Sequence, residues 1–242
     1  MRLDVYLTDN NIFESRKKAT DNIKNGYVSV DGKIINKPAF CVDGSEKIEI
    51  IGNFCPYVSR GGFKLEGALD AFNVDVKGYV CVDIGSSTGG FTDCLLQRGA
   101  SKVFAVDSGK DQLHNKLRED DRVICMEGFN ARQLSVCDIG EEVDLAVMDV
   151  SFISQTLLYP AVSSVLKDGG MFISLVKPQF EAGKAHVGKN GIVKDEKIHK
   201  SVCEDIKENA LIFGLQCIEI IDSPIRGGDG NKEFLALFKL KK

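Results

Sequence analysis

No apolar run in the 242 residues approaches the roughly 20 residues needed to span a bilayer. The opening Met1-Arg2-Leu3-Asp4 brings in an acid at once and lacks the basic-then-apolar profile of a signal peptide. Both absences set the expectation of a cytoplasmic protein. Paired cysteines are missing as well. The eight cysteines are scattered from Cys41 to Cys217 without a C-x-x-C, several of them in apolar runs where a free thiol behaves as a small hydrophobe. The three histidines, His114, His186 and His199, do not supply the closely spaced pairs of a zinc site, so no metal is expected. Nor is there an excess of positive charge. A net charge of −4 excludes a blanket polycation and confines any nucleic-acid contact to local patches. Internal repeats and low-complexity tracts are also lacking.

What is present is ordinary globular composition, 43% apolar and 27% charged, long enough for one large domain or a small one plus a medium one. The character of the chain changes near Gly52-Asn53-Phe54-Cys55-Pro56. Leu3, Val5, Tyr6 and Leu7 suit a first short helix, and Glu14 to Lys24 a second, closed by Asn25-Gly26. Tyr27–Val30 and Lys33–Ile35 flank a hairpin turn at Asp31-Gly32, and Lys47–Ile51 adds a strand. Residues 1–52 therefore predict a small α+β domain, 53–57 a linker, and 58–242 a second domain.

In the second domain short apolar strands alternate with helical stretches: Tyr79–Ile84, Lys102–Val106, Val123–Met126, Val143–Met148, Met171–Val176 and Cys217–Ile221. An alternating strand, Phe234–Leu240, follows the turn at Gly227-Gly228-Asp229-Gly230. Near-continuous apolar strands separated by helices predict an α/β fold with a mostly parallel seven-stranded sheet.

The first of these strands runs into a glycine-rich turn: Asp83-Ile84-Gly85-Ser86-Ser87-Thr88-Gly89-Gly90-Phe91, with a helix expected from Gly90. Glycines permit the tight turn and let a ligand approach the backbone. Asp107, at the end of the next strand and 24 residues after Asp83, is placed to accept hydrogen bonds from both ribose hydroxyls of an adenosine. The spacing D-x-G-x-x-x-G differs from the G-x-G-x-x-G of a dinucleotide loop. A carboxylate at Asp83 would repel a pyrophosphate and stabilise the cationic side of S-adenosylmethionine, which favours a methyl donor over NAD. A ligand-free strand-to-helix turn is the bland alternative.

Two charged residues stand at strand ends, where open α/β sheets place their ligands: Asp149 after Asp144–Met148, and Lys177 after Phe172–Val176. Lysines are rarely buried without a task. Asp149 also allows a helix N-cap reading for the segment near Ser154. Lys64, in Ser59-Arg60-Gly61-Gly62-Phe63-Lys64, and Glu233, opening the last strand, read by position alone as solvated charges.

The segments Tyr57–Leu65, Asp83–Asp93, Asp149-Val150-Ser151-Phe152-Ile153 and Lys177-Pro178-Gln179-Phe180-Glu181 resemble the TlyA family of rRNA 2′-O-methyltransferases, also called haemolysin A-like. The second domain is similar to FtsJ-type methyltransferases. The resemblance implies a Rossmann-like domain that binds S-adenosyl-L-methionine and methylates ribosomal RNA, with cytidine the usual target. It implies a catalytic tetrad of Lys64, Asp149, Lys177 and Glu233, and a cofactor site of Asp83, Gly85, Ser86, Ser87, Thr88, Gly89, Gly90, Phe91, Asp107, Asn130 and Asp149. In that tetrad Lys177 would take the proton of the ribose 2′-hydroxyl, a nearby Lys64 favouring its neutral form and the two carboxylates its charged form. The chain departs from the family pattern at Ser86, at Phe63, and at Ser108-Gly109-Lys110-Asp111.

Residues 1–52 resemble the S-four-type RNA-binding module of a ribosomal protein, through Arg2-Leu3-Asp4, Ser15–Ala19 and Gly26–Lys33. The module holds eight Lys/Arg and eight Asp/Glu, so it is neutral. RNA contact is expected from Arg2, Arg16, Lys17, Lys24 and Lys33, with Arg60 in the second domain, acting on phosphates. The expected partners are ribosomal RNA or ribosomal subunits. The alternatives are a non-catalytic assembly factor and a membrane-lytic protein; no spanning or strongly basic amphipathic helix supports the latter. The segment Glu181–Gly191 is expected to be a mobile loop beside the site.

Overall fold

The computed structural model describes residues 1–13, 15–24, 26–51, 56–188, 191–227 and 230–242. Expectations that fall on Glu14, on the Asn25 C-cap, on the Gly52–Cys55 linker, on Lys189-Asn190 and on Gly228-Asp229 lie outside the described residues. The chain divides into two compact units, Met1–Pro56 and Tyr57–Lys242.

In the first unit, helices α1 (Leu3–Asp9) and α2 (Arg16–Lys24) pack on a three-stranded antiparallel sheet of order β2-β1-β3. The strands are β1 (Val28–Val30), β2 (Lys33–Ile34) and β3 (Ile48–Ile50). Asp31 (φ 50°) and Gly32 (φ 74°) both take the left-handed conformation that a two-residue hairpin turn requires. Leu3, Leu7, Phe13, Ala19, Ile23, Val28, Val30 and Val42 close one core.

In the second unit, α3 (Gly61–Ala71) precedes a seven-stranded sheet. Its elements in order are β4 (Val80–Ile84), α4 (Gly90–Gln97), β5 (Lys102–Asp107), α5 (Asn115–Arg118), β6 (Val123–Glu127), α6 (Val136–Ile139) and β7 (Val143–Met148). There follow α7 (Tyr159–Val165), β8 (Leu166–Val176), α8 (Pro178–Glu181), α9 (Glu196–Leu211), β9 (Leu215–Asp222) and β10 (Phe234–Leu240). The spatial order is β6-β5-β4-β7-β8-β10-β9. The strands from β4 to β8 pair in parallel, and β10 is antiparallel to both β8 and β9. The fold class is thus the α/β sheet that the strand pattern predicts.

The chain builds outward from β4 to β6, then returns and builds outward again from β7. A crevice opens where the direction reverses, beyond the carboxyl ends of β4 and β7, and such switch points are where open α/β sheets bind ligands. Apolar packing holds the two strands rigidly beneath it: Val82, Ile84, Ala146 and Met148 are fully buried, as are Tyr159, Phe172 and Phe238, whose rings cluster with the Phe172 and Phe238 centroids 5.4 Å apart.

β8 is longer than its apolar run. Leu166 pairs with Val143, the register shifts, and Met171 then pairs with Leu145. Lys167-Asp168-Gly169-Gly170 reads as a turn, with Gly169 at φ 72°, yet it forms the irregular start of the strand.

Candidate active site

Two adjoining cavities occupy the crevice. One, of about 310 Å³, is lined by Gly85, Ser86, Ser87, Thr88, Gly90 and Phe91 of the glycine turn, by Ser59, Arg60, Gly61 and Lys64 at the start of α3, and by Asp149, Ser151, Lys177, Ile225 and Arg226. The other, of about 460 Å³, takes in Asp107, Ser108, Gly109, Gln112, Phe129, Asn130 and the 149–153 segment. They share Gly85, Ser87, Asp149 and Ser151, so they are two ends of one site whose size suits a cofactor and a reacting group.

Glycine shapes the floor and one wall. Gly85 has φ 84°, and a Cβ there would lie 2.6 Å from the Asp149 carbonyl oxygen, so the turn after β4 lies directly against the end of β7. At Gly90 a Cβ would lie 2.2 Å from Ser59 Oγ and 3.0 Å from the Gly62 nitrogen. At Gly62 one would lie 2.2 Å from the Tyr57 ring. The first turns of α3 and α4 therefore meet through glycine, which brings Lys64 to the cavity.

The four tetrad residues form two ion pairs. Lys64 Nζ donates to Glu233 Oε2 at 2.6 Å, both side chains nearly buried. Lys177 Nζ lies 2.6 Å from Asp149 Oδ1 and donates to Ser151 Oγ at 2.8 Å. Lys64, Lys177 and Asp149 line the smaller cavity; Glu233 stands behind Lys64. The strand ends do this: β7 and β8 are parallel neighbours, and β10 begins at Phe234 opposite Val176. Ser154, rather than Asp149, caps the short helical turn that follows, its Oγ accepting from the Thr156 N–H.

Of the expected cofactor residues, Asp83 and Gly89 do not line either cavity. Asp83 is fully buried behind the turn, where its Oδ2 accepts from the Thr92 N–H (3.0 Å) and hydroxyl (2.6 Å) and so anchors the start of α4. Burial, reinforced by the charges of Asp149 and Asp107, pushes its carboxyl up to about 7 against the pull of the Thr92 hydrogen bonds. Gly89 (φ 96°) is turned against Leu113 and Leu117. Asp107 sits in the larger cavity with Oδ2 accepting from Ser87 N–H (2.8 Å) and Oδ1 from Gly109 N–H (2.6 Å). Asn130 lies across the same cavity and caps a short turn through Oδ1 to Arg132 N–H.

The segment that departs from the family pattern, Ser108–Asp111, is braced from below. Glu127 accepts the backbone N–H groups of Asp111, Gln112 and Leu113 at 2.7–2.8 Å. The Arg118 guanidinium at 2.6 Å and those N–H groups hold its carboxyl down to about 2.

Ile225 and Arg226, in the wall of the smaller cavity, carry no signal by spacing, whereas Ser151 was legible as part of the Asp149–Ile153 segment. Phe152 is 91% exposed at φ 63°, an unusual backbone for a bulky residue, with its ring 5.1 Å from Phe180 at the mouth of the larger cavity.

The expected RNA-binding residues fall into both units. In the first, Asp4 is almost fully buried and accepts from Arg2 Nε (2.9 Å) and from both guanidinium groups' Nη2 (3.0 Å each), leaving Arg2 and Arg16 half exposed. The Arg2 hydrogen bond, with that of Arg16, holds the Asp4 carboxyl down to about 2. Lys17, Lys24 and Lys33 are exposed. Arg60 sits in the wall of the smaller cavity of the second unit.

A doubly wound sheet with a glycine turn, an acid at the next strand end and two lysine–carboxylate pairs at the switch point defines a Rossmann-type methyltransferase. Comparison with known proteins agrees. Residues 57–240 match the FtsJ-like methyltransferase model and residues 1–48 the S4 domain. Hemolysin A of Brachyspira hyodysenteriae is 41% identical, covering 98% of this chain and 99% of its own. The 16S/23S rRNA (cytidine-2′-O)-methyltransferase TlyA of Mycobacterium tuberculosis is 40% identical, covering 96% and 87%. A solved Streptococcus thermophilus structure, provisionally designated a hemolysin, superposes with a TM-score of 0.80 at 43% identity over 100% of this chain and 89% of that one. The chain belongs to the FtsJ-like methyltransferase family, in the S4-bearing TlyA group.

Proposed function

We propose that this protein transfers a methyl group from S-adenosylmethionine to a ribose 2′-hydroxyl of ribosomal RNA, cytidine being the nucleoside named for its TlyA relative. The observation that carries this reading is the Lys177–Asp149 pair at 2.6 Å on the wall shared with the glycine turn.

The residues present fit the cofactor. Asp107 at the rim of the larger cavity suits the ribose hydroxyls, with Gly109 and Asn130 beside the base. Gly85, which leaves no room for a side chain, and the buried hydroxyl of Ser86, which has no hydrogen-bond partner among the described residues, suit close approach of the amino-acid portion. Asp83 acts from behind as the anchor of the loop, through Thr92. When bound, S-adenosylmethionine supplies an electrophilic methyl on a sulfonium.

Lys177, in its neutral form, accepts the proton of the 2′-hydroxyl as the oxygen attacks. Asp149 stabilises the ammonium so formed, and Ser151 fixes its direction. Lys64, held by Glu233 in the wall of the same cavity, would stabilise the negative charge that develops on the attacking oxygen and orient the hydroxyl. In-line alignment of oxygen and methyl between these walls supplies the remainder of the rate. The Arg2–Asp4–Arg16 cluster offers two oriented guanidinium groups for phosphates, and Arg60 a third at the cavity mouth. Ribosomal RNA as substrate suits action in the cytoplasm.

Labelled methyl transfer to purified ribosomal subunits tests the reaction. Label in nuclease-resistant 2′-O-methyl dinucleotides is the expected result; label on a base or on protein overturns it.

A further inference from the structure

The Lys177-Pro178-Gln179-Phe180-Glu181 motif contains a charged residue that the mechanism leaves unused. Glu181 lines neither cavity. It ends α8, the four-residue helix that Pro178 starts immediately after Lys177. Its Oε2 accepts from Ser154 Oγ at 2.6 Å and its Oε1 from the Gln155 N–H at 2.9 Å. Both partners belong to the segment that leaves β7 through Asp149 and Ser151.

This contact lies where the sheet no longer holds the two segments together. The last rung between β7 and β8 joins Met148 to Ser174. Beyond it the Asp149 N–H still donates to the Ile84 carbonyl at 3.0 Å and Val176 still pairs with Phe234, but the two segments meet each other directly only through side-chain contacts among the described residues. Near the cavity these are the Lys177 contacts to Asp149 and Ser151. On the far side they are the Glu181 carboxylate and the tilted Phe152–Phe180 rings. Gln155 extends the brace inward, its Oε1 accepting from the Ser174 hydroxyl on β8. Ser154, already bonded to Thr156 Oγ1 at 2.8 Å, gives the carboxylate a fixed donor. Glu181 has no ion-pair partner among the described residues, and burial raises its carboxyl above the ordinary range. A half-buried acid without a counter-ion among the described residues, its two oxygens accepting hydrogen bonds across one gap, has a geometric task rather than an electrostatic one.

We propose that Glu181 is a positioning residue: it ties the segment after β7 to the helix after β8, and so sets the distance between Asp149 and Lys177. The inference rests on the reading of Lys177 as the base. It predicts a sharp dependence on shape. Glutamine keeps an acceptor for the Gln155 N–H and an amide within reach of the Ser154 hydroxyl. Aspartate is one methylene short of spanning the gap.

The test is steady-state methylation of ribosomal subunits with Glu181→Ala, Glu181→Asp, Glu181→Gln, Lys177→Ala and the Lys177→Ala/Glu181→Ala double variant, with cofactor affinity measured alongside by calorimetry. Expected is a kcat lower by about 10²-fold for the alanine and aspartate variants, since a misplacement of about 1 Å costs that much. KM for RNA and cofactor affinity stay as in the wild type, and Glu181→Gln recovers most of the rate. The double variant is no slower than Lys177→Ala, because a residue that acts through the base has nothing left to position. Multiplicative losses in the double variant, or cofactor affinity falling in step with kcat, would show a general structural role and overturn the proposal. If the alanine variant does not fold, the glutamine and aspartate variants decide: an active aspartate beside an inactive glutamine overturns it. Full activity in Lys177→Ala removes the reading of the base itself. Full activity in Glu181→Ala beside an inactive Lys177→Ala removes only the positioning role.

Discussion

At the scale of single residues, the carboxylates at strand ends separate into kinds that no spacing distinguishes. Asp83 and Asp149 both end apolar strands, yet Asp149 reaches the cavity and Asp83 points into the packing behind it. Because burial raises the Asp83 carboxyl from the ordinary range to about 7, ionising it costs the folded state more than the unfolded one. The stability difference between wild type and Asp83→Asn therefore shifts against the wild type as pH rises from about 4 through about 7, and is flat below that window. Thermal unfolding of both proteins at pH 4, 6 and 8 measures it; a difference constant across the series contradicts the assignment. Glu233 makes the complementary case. Replacing it with alanine leaves Lys64 nearly buried and unpaired, at an expected loss of about 2–3 kcal/mol in denaturant unfolding, with glutamine milder. Phe152 reads in sequence as one more apolar motif residue. Its exposure and left-handed backbone suit a platform on which a nucleobase stacks. Phe152→Ala is expected to raise KM for RNA or lower kcat by about tenfold, while cofactor affinity is unaffected; unchanged RNA kinetics would refute that role.

At the scale of elements, the parallel strands were legible because each is buried on both faces and so reads as a continuous apolar run; the observed β4, β5, β6 and β7 differ from the expected bounds by a residue or less at each end. The start of β8 was not legible. Lys167-Asp168-Gly169-Gly170 carries every mark of a turn, and only the β7 edge beside it draws Leu166 into the ladder. The meeting of α3 with α4 was likewise hidden. Nothing in the sequence says that the glycines of Ser59–Phe63 face those of Thr88–Phe91, although the close approach at Gly90 and Gly62 explains why both motifs need them. Gly90→Ala should force the two helix starts apart and carry Lys64 with them. The expected outcome is cofactor affinity reduced at least tenfold, roughly 1.4 kcal/mol or more, by calorimetry, with the sheet's circular dichroism retained; wild-type affinity would show that the contact relaxes without consequence. Arg226 belongs to the same class of hidden residues, since the loop that carries it has no periodicity to place it on a cavity wall.

At the scale of the whole molecule, the proposed function gives the first unit a part in RNA contact and the second unit the chemistry. The first is neutral by count, and composition alone would not assign it to RNA. Its capacity lies in arrangement: one buried acid holds two arginines from α2 and the chain start in fixed orientation. Phosphate contacts of this kind make affinity fall with salt in proportion to their number. Arg2→Ala/Arg16→Ala should weaken binding to ribosomal subunits and flatten the dependence of log affinity on log salt by about two contacts' worth, leaving cofactor affinity in the second unit intact. A salt slope equal to the wild type's contradicts that role.

The most direct measurement is labelled methyl transfer from S-adenosylmethionine to ribosomal subunits by the wild type and by Lys177→Ala, with cofactor affinity determined for both. The expected result is 2′-O-methyl label from the wild type, a rate lower by about 10²–10⁴-fold in the variant, and equal cofactor affinity. A Lys177→Ala protein that methylates at the wild-type rate would contradict the assignment of the base.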